Sequence, residues 1–238
     1  MYEFFFVLIP RHFPFLLEGA LVTLELSFLS MGFGLVLGLA TALGRLSGKP
    51  WLDWPLKSYV EIWRDVPLIV QLMVIYFTLP TIGITLSGFW AGVLGLSLNL
   101  GAYLSEVFRA AIMSIDPGQR AAGMSIGMSK VMIYRRIIFP QAFRIAIPTI
   151  GGYFIALLKD SSLVSFISVN ELLRNGNIII SNTFRNMEVY MMVAIIYFVL
   201  SFTASRLIRY LEHSLTPRYL RRQGRAAKAL APEVAVLP

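Results

Sequence analysis

No cysteine occurs in the 238 residues, which excludes disulfides, thiolate metal sites and cysteine nucleophiles. Charge is scarce: Asp, Glu, Lys and Arg make up 14% of the chain, against roughly 25% in an ordinary soluble domain. Only two histidines are present, His12 and His213, and they fall near opposite ends of the chain. That leaves an intramembrane enzyme without a metal or acid–base constellation. A glycine-rich phosphate loop of the G-x-x-x-x-G-K-[ST] kind is also missing, so the chain has no usual means of binding ATP. No polar segment is long enough to build a separate soluble core.

What fills the chain is apolar. Hydrophobic residues make up 57% of it, and the mean hydropathy is +0.70. These values describe an integral membrane protein with a single membrane domain. A secretory signal peptide is a poor reading of the opening "MYEFFFVLIPRHFPFLL", because Glu3 and Pro10 suit neither a basic n-region nor an apolar h-region.

Charge-free runs mark the crossings, each needing about 20 apolar residues as a helix. The stretch "LSFLSMGFGLVLGLATALG" gives the first, read back to about Phe13. No charge lies between Asp65 and Glu106, too long for one crossing, and Pro80, Gly83 and Gly88 break it into a hairpin. A short run, "IAIPTIGGYFIALL", and a final one, "VYMMVAIIYFVLSFTAS", complete the set. The expected organisation is an N-terminal segment 1–12 outside, a membrane domain 13–215, and a basic cytoplasmic tail 216–238. The spans fall at about 13–44, 57–80, 88–113, 142–158 and 188–210, with a loop at 116–140.

Lys and Arg set the orientation. The three segments expected on one side hold 17 of the 21 Lys/Arg, leaving Arg11, Lys159, Arg174 and Arg185 for the other. By the positive-inside bias the N-terminus is outside and the C-terminus is in the cytoplasm. The basic residues then face anionic lipid, and nucleic acid is not an expected partner.

The largest cytoplasmic loop contains "QRAAGMSIGMSKVMIYRRIIFP". Asp116 and Pro117 form a helix start and Gly127 a left-handed stop. Ser129 caps a second helix, "KVMIYRRII", which Pro140 is expected to end. Ala121, Ala122 and Gly123 leave the first helix nearly bare, either as a surface for close docking or as an interfacial loop resting on headgroups.

The pattern around Gly118, Gln119 and Gly127 resembles the cytoplasmic motif of ABC importer permeases. Further segments, "RDVPLIVQLMVIYFTLP", "LSLNLGAYLSEVFRAAIMSIDPGQ", "LLKDSSLVSFISVNEL" and "TFRNMEVY", resemble the subfamily that imports polar amino acids. The resemblance implies an all-α permease of the type I (MetI-like) architecture, with about five transmembrane helices in a bacterial inner membrane. It implies partners: an ATP-binding subunit dimer docking on Gly118, Gln119, Ala121, Ala122, Gly123 and Gly127, a second permease chain, and a periplasmic amino-acid-binding protein. ATP and Mg would reside in the ATPase, with no cofactor in this chain. Two departures stand out. Ala121 occupies the motif's glutamate position, and Arg64-Asp65-Val66-Pro67-Leu68 stands where related chains carry Arg-Gly-Thr-Pro-Leu.

A secondary transporter would carry its own coupling-ion site and inverted repeats, into which five spans do not divide. A non-transporting scaffold is the other alternative. Ionisable groups at membrane depth usually face a bundle interior or a cavity. Lys159 and Asp160, followed by Ser161 and Ser162, either line the substrate pathway or pair locally and reach the outer headgroups. Asn99 either lines the pathway or bonds a neighbouring helix. Glu106 and Arg109, three apart on one helix, read as an internal ion pair.

Overall fold

The computed structural model describes residues 9–215. Residues 1–8 of the expected N-terminal segment, and the basic tail 216–238, lie outside the described residues. The described residues form helices joined by short turns, without a strand, with four helices long and apolar enough to cross a membrane, and up to five if one bent pair counts as a span.

The first helix, α1 (Ile9–Leu46), packs along α4 (Gly88–Met113). It takes in residues 9–12, which were expected to lie outside the membrane domain. Pro10 does not prevent this, since the N–H groups of a first turn have no partner to lose. Gly34 and Gly38, four apart on α1, face Leu100 and Leu104 of α4. A methyl on either would lie 2.8 Å from Leu100 Cδ2 or 2.7 Å from Leu104 Cβ. Small residues four apart let two apolar helices approach closely, and van der Waals contact then supplies what a hydrophobic effect cannot supply in lipid.

The expected second span, 57–80, is not one straight helix. Helices α2 (Pro50–Asp65) and α3 (Leu68–Thr78, with a 3₁₀ turn Leu79–Ile82) meet at 108°. The cause is Pro67. It has no N–H for the Trp63 carbonyl, and it drives Val66 to an extended backbone (φ −85°, ψ 133°). Side chains of neighbouring helices bond the freed carbonyls instead, as described below.

After α4 the loop folds as α5 (Pro117–Ser125) and α6 (Lys130–Ile133). Asp116 Oδ1 accepts from the Gly118 N–H at 2.6 Å, and Ser129 Oγ accepts from the Met132 N–H at 3.3 Å. Gly127 ends α5 at φ +78°, its N–H donating to Met124 O and that of Met128 to Gly123 O, both at 3.0 Å. This is the paired closure that requires a left-handed residue.

Pro140 does not end the second helix. The chain widens into a π turn, Tyr134–Ile138, where the Phe139 N–H donates to the Tyr134 carbonyl, and passes directly into α7 (Phe139–Asp160). One extra residue per turn relieves the clash and the missing donor that a proline brings to an α-helix. The expected short span 142–158 is therefore part of a continuous path, Lys130–Ile167, finished by a 3₁₀ turn Ser161–Ile167. Two further helices follow, α8 (Leu172–Thr183) and α9 (Asn186–Leu215).

The main core lies among α1, α3, α4 and α7. A second cluster joins α1, α8 and α9 around Leu16, Leu172, Ile179, Val189 and Val193. At its polar end Glu171, 0% exposed, caps α8. Its Oε1 accepts from the Arg174 N–H at 2.8 Å; its Oε2 accepts from the Leu173 N–H at 2.9 Å and the Tyr197 hydroxyl at 2.7 Å. Burial pushes the Glu171 carboxyl above its ordinary value, against these bonds, which favour the charged form.

Candidate functional site

The break between α2 and α3 creates a polar junction within the helix bundle. With Pro67 unable to donate, the Trp63 carbonyl accepts from Asn99 Nδ2 at 2.8 Å and from Gln71 Nε2 at 3.0 Å. Gln71 Nε2 also donates to Val66 O at 2.8 Å, and Asn99 Nδ2 to Gln71 Oε1 at 3.0 Å. The Tyr103 hydroxyl donates to Arg64 O at 3.3 Å. Three carbonyls of the corner are thus bonded by side chains of α3 and α4, which braces an otherwise irregular backbone within the membrane domain.

This corner, α4 and α7 enclose a cavity of about 350 Å³. Small-molecule sites run from about 300 to 1,000 Å³, so one modest ligand fits. Its polar wall holds Arg64, Asp65, Asn99, Tyr103, Tyr153 and Asp160. The Arg64 guanidinium lies over the Tyr103 ring at 5.3 Å, and the Tyr103 and Tyr153 rings are 5.7 Å apart. A second cavity, about 430 Å³, shares Arg64, Tyr103 and Tyr153 with the first and extends past Glu106 to Ser114. The two therefore adjoin along one face of α4, with the Arg64–Tyr103–Tyr153 group between them. The far end reaches the start of the α5 loop.

Among the residues singled out from sequence, the cavity takes in Asp160 and Asn99. Lys159 precedes Asp160 but is not on the cavity wall. Ser161 is buried with its hydroxyl donating to Leu158 O at 2.8 Å, a capping bond at the end of α7, and Ser162 also lies off the wall. Asn99 combines two roles that the sequence reading held apart, since it lines the cavity and bonds a neighbouring helix. Glu106 and Arg109 are paired, with Nη2 to Oε2 at 2.7 Å. Arg45 of α1 also bonds Glu106 and lies 3.5 Å from Asp53 of α2, tying three helices together.

Sequence reasoning missed Gln71, Tyr103 and Tyr153 as site residues. For Gln71 a signal existed: it is the lone amide in "LIVQLMVIYF". The tyrosines gave none, because their role depends on Arg64 and on each other.

The α5 surface divides in two. Ala121 and Ala122 face outward beside exposed Met124 and Ile126, and Gly118 and Gln119 are exposed at the helix start. Gly123 faces inward, where a Cβ would come within 2.9 Å of Ile133 Cγ1. Arg120 stacks over Tyr134 at 5.1 Å and holds α5 against the π turn. Gly127 is exposed at the corner. Among the described residues no group of three or more His, Asp or Glu side chains could hold a metal.

Comparison with known proteins places residues 34–217 in the family described as "Binding-protein-dependent transport system inner membrane component". The L-cystine transport system permease protein TcyB of Bacillus subtilis is 41% identical over 85% of this chain and 87% of its own. The glutamine transport system permease protein GlnP of Escherichia coli is 37% identical over 85% of this chain and 93% of its own. A chain from the crystal structure of an amino acid ABC transporter with histidines superposes with a TM-score of 0.82. It is 39% identical, with 88% of this chain and 98% of that one covered.

Proposed function

The chain belongs to the inner membrane components of binding-protein-dependent transport systems, its relatives there include amino-acid permeases, and on that premise we propose that it imports polar L-amino acids through the α2–α3–α4–α7 cavity. The observation that carries this reading is the cavity wall itself. A free amino acid presents an ammonium and a carboxylate, and the wall offers Asp160 and Arg64 to match them, with Asn99 and two tyrosines beside them. The adjoining cavity continues the route toward the α5 loop. A zwitterion passing from one to the other moves past Arg64, Tyr103 and Tyr153.

Family membership carries with it an ATPase and a binding protein. In the proposed assembly a pair of ATPase subunits docks on the exposed face of α5 at Ala121 and Ala122. A second permease chain, identical or homologous, completes the pathway, and the periplasmic binding protein delivers the amino acid. The N-terminus lies outside and the C-terminus in the cytoplasm, as the Lys/Arg distribution favours. ATP hydrolysis belongs to the partner, and its closure moves α5 as a rigid body.

Uptake into vesicles carrying the purified complex tests this. Transport is expected to require both ATP and added binding protein. Ion-gradient-driven uptake without ATP would make the chain a secondary transporter. For the cavity itself, Ala156→Trp fills the wall from α7 and is expected to abolish uptake while the ATPase subunit still co-purifies. Normal uptake by that variant would remove the cavity from the pathway.

A further inference from the structure

The charged residues that line the first cavity are Arg64, Asp65 and Asp160, one cation and two anions. Among the described residues, neither Asp65 nor Asp160 lies within 4.0 Å of a cationic nitrogen in an ion pair. Arg64 is held over Tyr103, and Lys159 is off the wall. The nearby acid Glu106 is already matched by Arg45 and Arg109.

A neutral amino acid brings one positive and one negative group. Against this wall it would satisfy the guanidinium and one carboxylate, and leave the other carboxylate unmatched. An unmatched charge beside a bound ligand is a cost that discriminates between ligands as strongly as a new contact does. A ligand with a second cation removes that cost. Asp65 is the residue that tips the count from one anion to two. Its placement is also well braced: the carbonyls of Trp63, Arg64 and Val66 on either side of it are all bonded by Asn99, Gln71 or Tyr103. A carboxylate on a braced corner loses little freedom on binding.

We infer that Asp65 is a specificity-determining residue that makes this cavity select amino acids with a cationic side chain. The inference rests on the cavity being the amino-acid site, as proposed above, and adds the substrate class.

The test is direct binding of L-lysine, L-arginine, L-glutamine and L-glutamate to the purified permease–ATPase complex without binding protein, by isothermal titration. Lysine and arginine are expected to bind at least about tenfold more tightly than glutamine, with glutamate weakest. Asp65→Asn is expected to bring lysine and glutamine within about threefold of each other, and Asp65→Glu to keep the preference. Equal or reversed preference in the unaltered complex overturns the inference, and that measurement stands even if neither variant is recovered. An undiminished preference in Asp65→Asn overturns it too. Ala156→Trp separates the two proposals. If it abolishes binding of all four ligands while Asp65→Asn leaves the ratio unchanged, the charge inference alone falls. If binding survives in Ala156→Trp, the cavity reading falls and the inference with it.

Discussion

Asp160 and Glu171 are both carboxylates at the end of a helical segment, and the surroundings divide them. Glu171 is 0% exposed, with both oxygens engaged by two backbone N–H groups and a tyrosine hydroxyl. Asp160 is exposed at a cavity and, among the described residues, forms no ion pair within 4.0 Å. A buried acid with both oxygens engaged contributes stability and is closed to a ligand. An acid at an open cavity adds little to the fold and keeps its valence for whatever enters. The same residue chemistry thus marks a joint in one place and a site in the other.

Substitutions can break that comparison, and the largest effect on amino-acid binding is expected at the cavity. Asp160→Asn removes a charge-assisted bond worth about 1.5–3 kcal/mol, about 10- to 100-fold in amino-acid affinity, with the melting temperature of the complex nearly unchanged. Lys159→Ala, one residue away but off the wall, is expected to change uptake less than about twofold. Equal losses from both would erase the distinction between wall and neighbour. Vesicle uptake normalised to membrane quantity decides it.

Glu171→Ala should do the opposite. Loss of the α8 cap and a stranded Tyr197 hydroxyl together cost about 2–4 kcal/mol of stability. Lower abundance is expected, with binding per recovered complex retained. A variant that is stable but fails to bind would move Glu171 into the pathway.

The smallest effect is a pH dependence. Burial raises the Glu171 carboxyl above its ordinary value, so the folded chain holds that proton more tightly than the unfolded chain. Its contribution is complete below the ordinary carboxyl value and is lost as pH rises through the raised one. Glu171→Gln removes that slope. Thermal unfolding of both forms from acid to neutral pH would show it, and parallel profiles would mean the group does not titrate in that window.

Much of the fold was legible because lipid imposes a simple code. Charge-free runs of crossing length gave an all-α protein of about five spans, and the caps at Asp116, Ser129 and Gly127 followed from local chemistry alone. The misreadings came at prolines. Pro67 was passed over inside an apolar run, although the residue before it is biased out of the helix, and so the α2–α3 bend went unseen. Pro140 was taken as a stop, because a π turn leaves no signature in composition. At the site, Asp160 and Asn99 stood out as polar residues in apolar surroundings. Gln71 stood in equally apolar surroundings but was passed over, and Tyr103 gave no signal, because their meaning lies in carbonyls that only the bend exposes. The Gly34–Gly38 seam was not read from sequence, because its meaning lies in the α4 side chains that it meets.

The π turn has a mechanical consequence. From Lys130 to Asp160 the chain is one uninterrupted helical rod, roughly 45 Å long at about 1.5 Å per residue, with the α5 corner at one end and a cavity acid at the other. A hinge at Pro140 would let the loop swing while the span stood still. Continuity through Pro140 instead links the α5 corner to the cavity wall along a single backbone, in which Pro148 is the proline inside α7.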